Sequence, residues 1–322
     1  MISKAFDVTN VDKVELHCHI DGLLDPAMLD DLYADGHDFG LSAAALKARY
    51  PFDSLSAWER DYCRFLEPHL QPHAERLPLM LERHLRRLKA QRVVYAEIFV
   101  SGLLFPRGDD LDALIDLFHE LRRRADLVAM PELRVEFVVC IGRGPPEKLQ
   151  KQFPRIMALH RAGLVCGVAL AGAEAQFPVR PLRSFFAQFR DSGMGIEIHA
   201  GELAGPESVR DALDFGLPDR LGHGVAVFQD SALIDRVLER HIHLEFCPTS
   251  NLRLGVVPRI EDHPIGRAYQ LGVDFSINTD DPGPFECSMN SEFELVRDAF
   301  HFGERHFAEI LQSARRAAFA GR

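Results

Sequence analysis

Eight short runs of apolar and β-branched residues alternate with helical patterns along this chain of 322 residues. Strands that are apolar at nearly every position and are joined through helices form parallel sheets whose faces the helices cover. Eight repeats of this unit, in a chain somewhat longer than the roughly 250 residues typical of the fold, predict an α/β protein with a (β/α)8 TIM-barrel architecture. The predicted strands are residues 14–20, 93–100, 134–141, 166–171, 195–199, 220–223, 242–247 and 273–279.

The extra length of the chain lies between the first two predicted strands. Residues 22–92 are far more than one helix needs, and they include the aromatic side chains Phe52, Trp58 and Tyr62. A long insertion with apolar content of its own is typical of a lid over an active site. We therefore expect one domain over residues 1–322, with a helical insertion between strands 1 and 2 that forms a flap over the barrel mouth.

Charge and apolar patterning argue against several kinds of partner. The formal net charge of -11 opposes binding to a phosphate backbone, which depends on clustered Lys and Arg. The sequence has no apolar leader at its start, and no window approaches the roughly 20 apolar residues of a membrane helix. Its six cysteines form no C-x-x-C pair, which favours reduced thiols. We expect a cytoplasmic protein that acts on a small molecule and binds neither nucleic acid nor a membrane; its oligomeric state stays open.

Histidines and a carboxylate stand at the ends of several predicted strands. His17 and His19 end strand 1, and their H-x-H spacing puts both side chains on one face of the strand. His199, His223 and Asp280 end or follow strands 5, 6 and 8. Since the C-terminal ends of the strands build the active site of a TIM barrel, these side chains should meet there. Three imidazoles and one carboxylate match zinc, whose catalytic sites leave a position for water.

The alternative for each histidine is an ordinary structural role, which is the usual fate of a lone histidine. The agreement of several strand ends favours a metal site for the five residues above. Binuclear sites on this kind of barrel commonly use a bridging lysine on strand 4, but that strand reads CGVALAG here. A single metal ion is therefore favoured, with His223 left as a base or an orienting group for the bound water. Four further histidines match no motif and are interpreted as structural: His160, His241, His243 and His263.

Glu202 lies three residues beyond His199, in the loop that leaves strand 5. A carboxyl group beside a metal-bound water can move a proton if burial raises its pKa. An exposed loop glutamate is the alternative, but the position next to His199 favours the catalytic role.

These residues fall within motifs that together resemble the adenosine deaminase family. The motifs are VELHCHIDG, LAG, HAGE, RLGHG, CPTSN and NTDDP, in that order across roughly residues 13–300. The resemblance implies one zinc ion per chain, held by His17, His19, His199 and Asp280. It also implies that Glu202 protonates a purine ring and that His223 positions the attacking hydroxide. Asp281 and the backbone N–H of Gly172 would contact the ring, and Asp21 would face the sugar side.

The function that the resemblance implies is zinc-dependent hydrolytic deamination of adenosine or a related 6-aminopurine, giving a 6-oxo product and ammonia. Free adenine, or an N6-substituted or 5'-modified adenine derivative, is the alternative substrate. Cleavage of a cyclic amide or ester is less favoured. The presence of HAGE and NTDDP and the absence of a lysine on strand 4 argue against it. A noncatalytic relative would have lost a ligand or Glu202, and neither is lost.

Two features of the motifs bear on the substrate. The nucleoside branch of the family carries HxDG and the free-base branch tends towards HxEG, so Asp21 in HIDG favours a group attached at N9. The family's LAGDE is LAGAE here, with Ala173 in place of an acidic residue, and Ala169 also stands at a usually acidic position. Neither change touches the metal ligands.

Overall fold

A computed structural model describes residues 6–102 and 110–320 of the chain. Eight parallel strands form one sheet in which each strand pairs with the next along the chain. The strands are β1 (Lys13–His19), β2 (Val93–Ser101), β3 (Arg134–Gly142), β4 (Gly167–Ala171), β5 (Gly195–Ala200), β6 (Arg220–His223), β7 (His243–Phe246) and β8 (Phe275–Ile277). The prediction of a (β/α)8 barrel is confirmed.

The barrel closes between β1 and the chain that follows β8. The N–H of His19 donates to the carbonyl of Asp280 at 2.9 Å, and the N–H of Asp280 donates to the carbonyl of His17 at 3.0 Å. β8 is shorter than the predicted run, because Asn278 meets β1 through its side chain: its Oδ1 accepts the N–H of Leu16 at 2.9 Å. The closure therefore places Asp280 directly beside the two histidines of β1.

Helices cover the outside of the barrel and fill the insertion. α6 shows the pattern: Asp110 caps its N-terminus by accepting the N–H of Ala113, and Leu114, Phe118 and Leu121 are buried on one face. The helices are α1 (Pro26–Ala34), α2 (Ala43–Lys47), α3 (Leu55–Trp58), α4 (Glu67–Leu70), α5 (Leu77–Ala90), α6 (Leu111–Ala129), α7 (Pro146–Gln150), α8 (Phe153–Arg161), α9 (Arg183–Asp191), α10 (Pro206–Phe215), α11 (Ser231–Glu239), α12 (Pro248–Arg253), α13 (Ile265–Leu271), α14 (Met289–Phe300) and α15 (Glu304–Ala317).

The insertion between β1 and β2 carries α1 to α5 and a π-helical turn over Glu59–Leu66. Phe52 anchors it to the barrel: its ring is fully buried and lies edge-on to Phe285, with centroids 6.3 Å apart. The N–H of Phe52 also donates to the carbonyl of Pro284 at 3.1 Å. The predicted helical insertion is confirmed, and its π-helical part lies beside the C-terminal ends of the strands.

Among the described residues, no helix is both long enough and apolar enough to span a membrane. The expected cytoplasmic location and the expectation of one domain over residues 1–322 stay predictions; residues 1–5, 103–109 and 321–322 lie outside the described part of the chain.

Candidate active site

The predicted site residues meet in a cavity of about 220 Å³ at the C-terminal ends of the strands. His19 is the last residue of β1, His223 is the last residue of β6, and His199 is the penultimate residue of β5. Asp280 joins them through the closure of the barrel. One ligand atom from each of His17, His19, His199 and Asp280 lies within 4.8 Å of the others.

The donor atoms lie close enough together to share one metal ion. Oδ1 of Asp280 lies 3.4 Å from Nε2 of His17 and 3.4 Å from Nε2 of His19. Ligands about 2.0–2.1 Å from a tetrahedral zinc ion stand roughly 3.3 Å apart, so these atoms could share one ion. Nε2 of His17 is buried without a hydrogen-bond partner. Such an orphaned acceptor is costly unless something binds it, and the set therefore fits a metal ion.

Burial keeps the imidazoles of His19 and His199 in the form that binds a metal, whereas the hydrogen bonds of His17 to Asp280 and Glu245 outweigh its burial and raise its pKa well above the usual value. Burial lowers the pKa of His19 to about 4 and the pKa of His199 well below its usual value. A neutral imidazole has a free lone pair, whereas a protonated one has none to give. β4 reads GVALA and brings no lysine to the cavity, and the number of metal ions stays a prediction.

Two buried glutamates orient the ligands His17 and His199 through the ring nitrogen that faces away from the metal position. Oε2 of Glu245 lies 2.7 Å from Nδ1 of His17, and Oε1 of Glu197 lies 2.9 Å from Nδ1 of His199. A carboxylate at Nδ1 fixes the proton there and leaves Nε2 as the ligand atom. Neither glutamate was predicted from the sequence. The alternation in GIEIH was a usable signal, because it puts Glu197 on the same strand face as His199.

Gly222 makes room for this arrangement. A Cβ atom at Gly222 would lie 2.2 Å from Oε1 of Glu197, 2.8 Å from Nδ1 of His199 and 3.0 Å from Cε1 of His17. Real Cβ contacts are essentially never below 3.0 Å, so the glycine in RLGHG is required by the side chains that surround it. The next residue, His223, has a φ of 59°, and Asp280 has a φ of 61°. This left-handed backbone is uncommon for residues other than glycine, although His and Asp adopt it more readily than most.

A chain of hydrogen bonds fixes the tautomer of His223. The backbone N–H of Ile265 donates to Nδ1 of His263 at 3.4 Å, so His263 carries its proton on Nε2. That Nε2–H donates to Oδ1 of Asn251 at 3.1 Å, and Nδ2 of Asn251 donates to Nδ1 of His223 at 3.0 Å. His223 therefore carries its proton on Nε2, which lies 3.6 Å from Oε2 of Glu202. In this tautomer His223 is a hydrogen-bond donor towards the cavity, which favours the predicted orienting role over the role of a base.

His263 is thus a buried structural histidine, as predicted, and it also belongs to the chain of hydrogen bonds that ends at His223. Its neutral form is secured by burial, which lowers its pKa to about 3. Two of the other histidines do lie away from the cavity. His243 begins β7 and contacts Ser313 at 3.4 Å, and His160 contacts the carbonyl of Ser192 at 3.3 Å.

Glu202 lies in the loop after β5 with its side chain facing the cavity. Burial, and then the charge of Asp280, raise the pKa of Glu202 well above its usual value. Glu174 holds the loop: its carboxylate accepts the backbone N–H groups of Gly201 at 2.7 Å, Glu202 at 3.1 Å and Leu203 at 3.0 Å. Glu174 was not predicted from the sequence. It is the final residue of LAGAE, beside the substituted Ala173.

The predicted substrate contacts line the same cavity. Asp21 and Asp281 are buried, and Oδ1 of each is without a hydrogen-bond partner. Gly22 lets Asp281 approach, since a Cβ atom there would lie 2.0 Å from its Oδ1. Gly172 lies in the cavity wall with a φ of 101°. Burial, and then Asp280 and Asp21, raise the pKa of Asp281 well above its usual value.

The insertion supplies the remaining wall of the cavity. Trp58 and Tyr62 face it with their rings stacked, 5.4 Å apart at the centroids. Glu67 also lines it, and burial together with the charge of Asp21 raises the pKa of Glu67 to about 8. An aromatic surface next to carboxyl groups suits a flat ring that carries hydrogen-bond donors.

Comparison with known proteins identifies the family. The family model described as adenosine deaminase matches residues 12–322. An adenine deaminase of Rhizobium meliloti (strain 1021) is 32% identical over 318 residues, which are 96% of this chain and 94% of that protein.

Two solved structures share the fold. An adenine deaminase from Arthrobacter aurescens superposes with a TM-score of 0.82 at 23% identity, covering 98% of this chain and 95% of that one. An amidohydrolase from Burkhoderia ambifaria with bound zinc superposes with a TM-score of 0.80 at 22% identity, covering 97% and 87%. The family model and the relative agree on the family, and the solved structures agree on the fold. The chain belongs to the adenosine deaminase family.

Proposed function

We propose that this protein is a zinc-dependent hydrolase that converts a 6-aminopurine and water into the 6-oxopurine and ammonia. The observation that carries the proposal is the ligand set of His17, His19, His199 and Asp280, which opens onto a cavity that also holds Glu202. The relative from Rhizobium meliloti, which spans nearly the whole chain, is named an adenine deaminase. Both point to the same reaction.

The three histidines and Asp280 would hold the metal, and the zinc-bound amidohydrolase of the same fold supports zinc as its identity. When bound, zinc supplies a Lewis acid that lowers the pKa of a water molecule towards about 7. His223 donates its Nε2–H towards the attacking oxygen and so aligns it with the amino-bearing carbon of the ring.

Glu202 acts as the proton donor. Addition of an oxygen nucleophile to the amino-bearing carbon moves an electron pair onto the neighbouring ring nitrogen, which must take up a proton. A buried carboxyl with a raised pKa is still protonated when the substrate binds and can deliver that proton. Of the two protons of the attacking water, one leaves with the amino group as ammonia when the C–N bond breaks, and the other restores the proton that Glu202 has given to the ring nitrogen. Glu174 keeps the Glu202 loop in place, because it accepts hydrogen bonds from three backbone N–H groups of that loop.

Asp281 and Gly172, which also line the cavity, bind the purine ring. A carboxyl group whose pKa is raised by burial can donate a hydrogen bond to a ring nitrogen, and the backbone N–H of Gly172 offers a second donor. Both groups are hydrogen-bond donors that match the acceptor nitrogens of a purine ring. Trp58 supplies an apolar face for the ring.

Two substrates fit this proposal, and each has its own support. The relatives' names favour free adenine. Asp21 favours adenosine, because its buried, unpartnered Oδ1 in the cavity wall could accept a hydrogen bond from a ribose hydroxyl. The N6-substituted and 5'-modified derivatives are variants of these two classes.

The test is ammonia release by the zinc-loaded protein from adenine, adenosine, deoxyadenosine, 5'-modified adenosines and N6-substituted adenines. We expect turnover of at least one of them. Turnover of a cyclic amide in the absence of any aminopurine activity would refute the proposed reaction.

Asp21→Ala separates the two substrates. If Asp21 binds ribose, kcat/KM for adenosine should fall by about 10- to 100-fold, while that for adenine changes little. An equal loss for both would assign Asp21 to the site as a whole and remove the support for a nucleoside.

A further inference from the structure

The chain that follows α15 turns into the floor of the barrel, at the end opposite the cavity. Phe319 is only 3% exposed, and its ring lies against the first residues of β4 and β5, which are Gly167 and Gly195. Cβ atoms at these glycines would come within 2.5 Å and 2.2 Å of the ring. Both strands thus begin with a residue small enough to admit Phe319.

Arg220, the first residue of β6, lies on the inner side of this ring. Its side chain is fully buried, and its guanidinium carbon stands 3.5 Å from the ring centroid of Phe319. Nη2 donates to Glu97 at 2.6 Å, and Nε forms an ion pair with Glu245 at 2.5 Å. A buried guanidinium needs such partners, because it has lost its hydration. Phe319 closes the cluster, since its own N–H donates to Glu97 at 2.6 Å.

The same Glu245 reaches the metal site. While Oε1 pairs with Arg220, Oε2 lies 2.7 Å from Nδ1 of His17. Glu97, Arg220 and Glu245 are all fully buried, so the charges interact at low effective dielectric and with little screening. Contacts therefore run without interruption from the C-terminal segment to a metal ligand.

We infer that Phe319 is a positioning residue for the metal site: it seals the barrel floor so that Arg220 holds Glu245 in the orientation that fixes His17. Without the ring, water would reach Arg220 and compete for its hydrogen bonds. Glu245 would then be free to leave Nδ1 of His17, and the ligand would lose its fixed tautomer. The inference rests on the metal site of the proposed function.

Phe319→Ala tests the inference through zinc affinity, measured by competition with a chelator. We expect the dissociation constant for zinc to rise by about 10- to 100-fold, the range found when partners of a metal-bound histidine are removed. Phe186→Ala is the matched control. Phe186 is a fully buried phenylalanine on α9, outside the barrel, and its loss should lower the melting temperature while the zinc dissociation constant stays within about threefold.

Phe319→Leu keeps the backbone N–H and refills much of the space, so it should restore most of the affinity. In the cobalt-substituted protein, Phe319→Ala should also shift the visible absorption bands, because the position of His17 changes. Glu97→Gln acts on the same chain of contacts, and its effect should be less than additive with that of Phe319→Ala.

Equal zinc affinities of the wild type and Phe319→Ala would overturn the inference, as would a Phe186→Ala protein that loses zinc to the same degree. These outcomes leave the proposed function standing. A wild-type protein that binds no zinc at all would overturn both.

Discussion

At the scale of single residues, the metal site depends on Gly222, whose lack of a side chain leaves room for the ligands. Gly222→Ala would put a methyl group into the space that Glu197 and His199 occupy. We expect zinc affinity to fall by about 100-fold or more, since the ligand itself is displaced. The loss of affinity is measured as the zinc content that remains after dialysis against a chelator. Gly205→Ala is the control, because a Cβ atom at Gly205 meets nothing within 4 Å; equal metal retention in the two variants would contradict the argument.

Glu202 separates chemistry from metal binding. Glu202→Gln keeps the shape of the side chain but has no proton to deliver, so kcat should fall by about 10²- to 10⁴-fold. Zinc content should be unchanged, because Glu202 is not among the four ligands. Steady-state kinetics and metal analysis on the same sample decide the matter, and near-normal turnover would remove Glu202 from the mechanism.

The sequence was informative about individual residues where a strand end fixed their direction. His17, His19, His199 and Asp280 were predicted together because barrel strands point their C-terminal ends at one place. Glu174 could not be predicted in the same way, because its role depends on the path of a different loop that brings three N–H groups to it.

At the scale of elements, α14 holds α12 through one buried carboxyl. Oε2 of Glu292 accepts the N–H of Thr249 at 3.0 Å, and burial raises the pKa of Glu292 to about 7. The next residues of α12 are Ser250, which donates to Asp280 at 2.7 Å, and Asn251, which contacts His223. Glu292 therefore supports the helix from which two residues reach the active site.

A raised pKa makes the stability of this region dependent on pH, because ionised Glu292 is a buried charge even though it still accepts the N–H of Thr249. The folded state prefers protonated Glu292, so its contribution to stability is complete below the ordinary value of 4.5 and is lost as pH rises through about 7. Glu292→Gln cannot ionise, and we expect it to abolish a loss of unfolding free energy on the order of 1–3 kcal/mol across that range. Urea denaturation between about pH 4 and pH 8 measures the loss. Glu294→Gln, on the exposed side of α14, should behave as the wild type; an identical pH dependence in both variants would disprove the coupling.

Element boundaries followed the sequence closely except where side chains replaced backbone pairing. The eight predicted strands are all present, but β8 ends at Ile277, because Asn278 and Thr279 contact β1 through their side chains. The link from His263 to Asn251 joins two helical segments whose packing no local pattern reveals. For that reason the sequence alone could not separate His263 from the other histidines.

At the scale of the whole molecule, the metal would tie distant parts of the chain together. Its ligands come from β1, from β5 and from Asp280, which follows β8, so an ion that binds only the folded state stabilises the entire barrel. At a free zinc concentration of about 1,000 times the dissociation constant this amounts to roughly 4 kcal/mol. Removal of zinc should lower the melting temperature by about 5 °C or more.

Calorimetry with and without a chelator checks this expectation. The Glu202→Gln protein is the useful control, because it keeps all four ligands and should show the same shift while lacking activity. A melting temperature that ignores the chelator would mean that the ion contributes nothing to the fold.

The closure of the barrel also sets the order in which the site can form. The hydrogen bond from Leu16 to Asn278 spans 262 positions of the chain, whereas each of the other strand pairs joins neighbours in sequence. Contacts of such high sequence separation are slow to form, because the entropy of a long stretch of chain is lost before the contact contributes any stabilisation. Asp280 comes to His17 and His19 only through this last pairing. We therefore expect the metal centre to be completed at the end of folding, so that in a refolding experiment the capture of zinc would time the closing of the barrel itself.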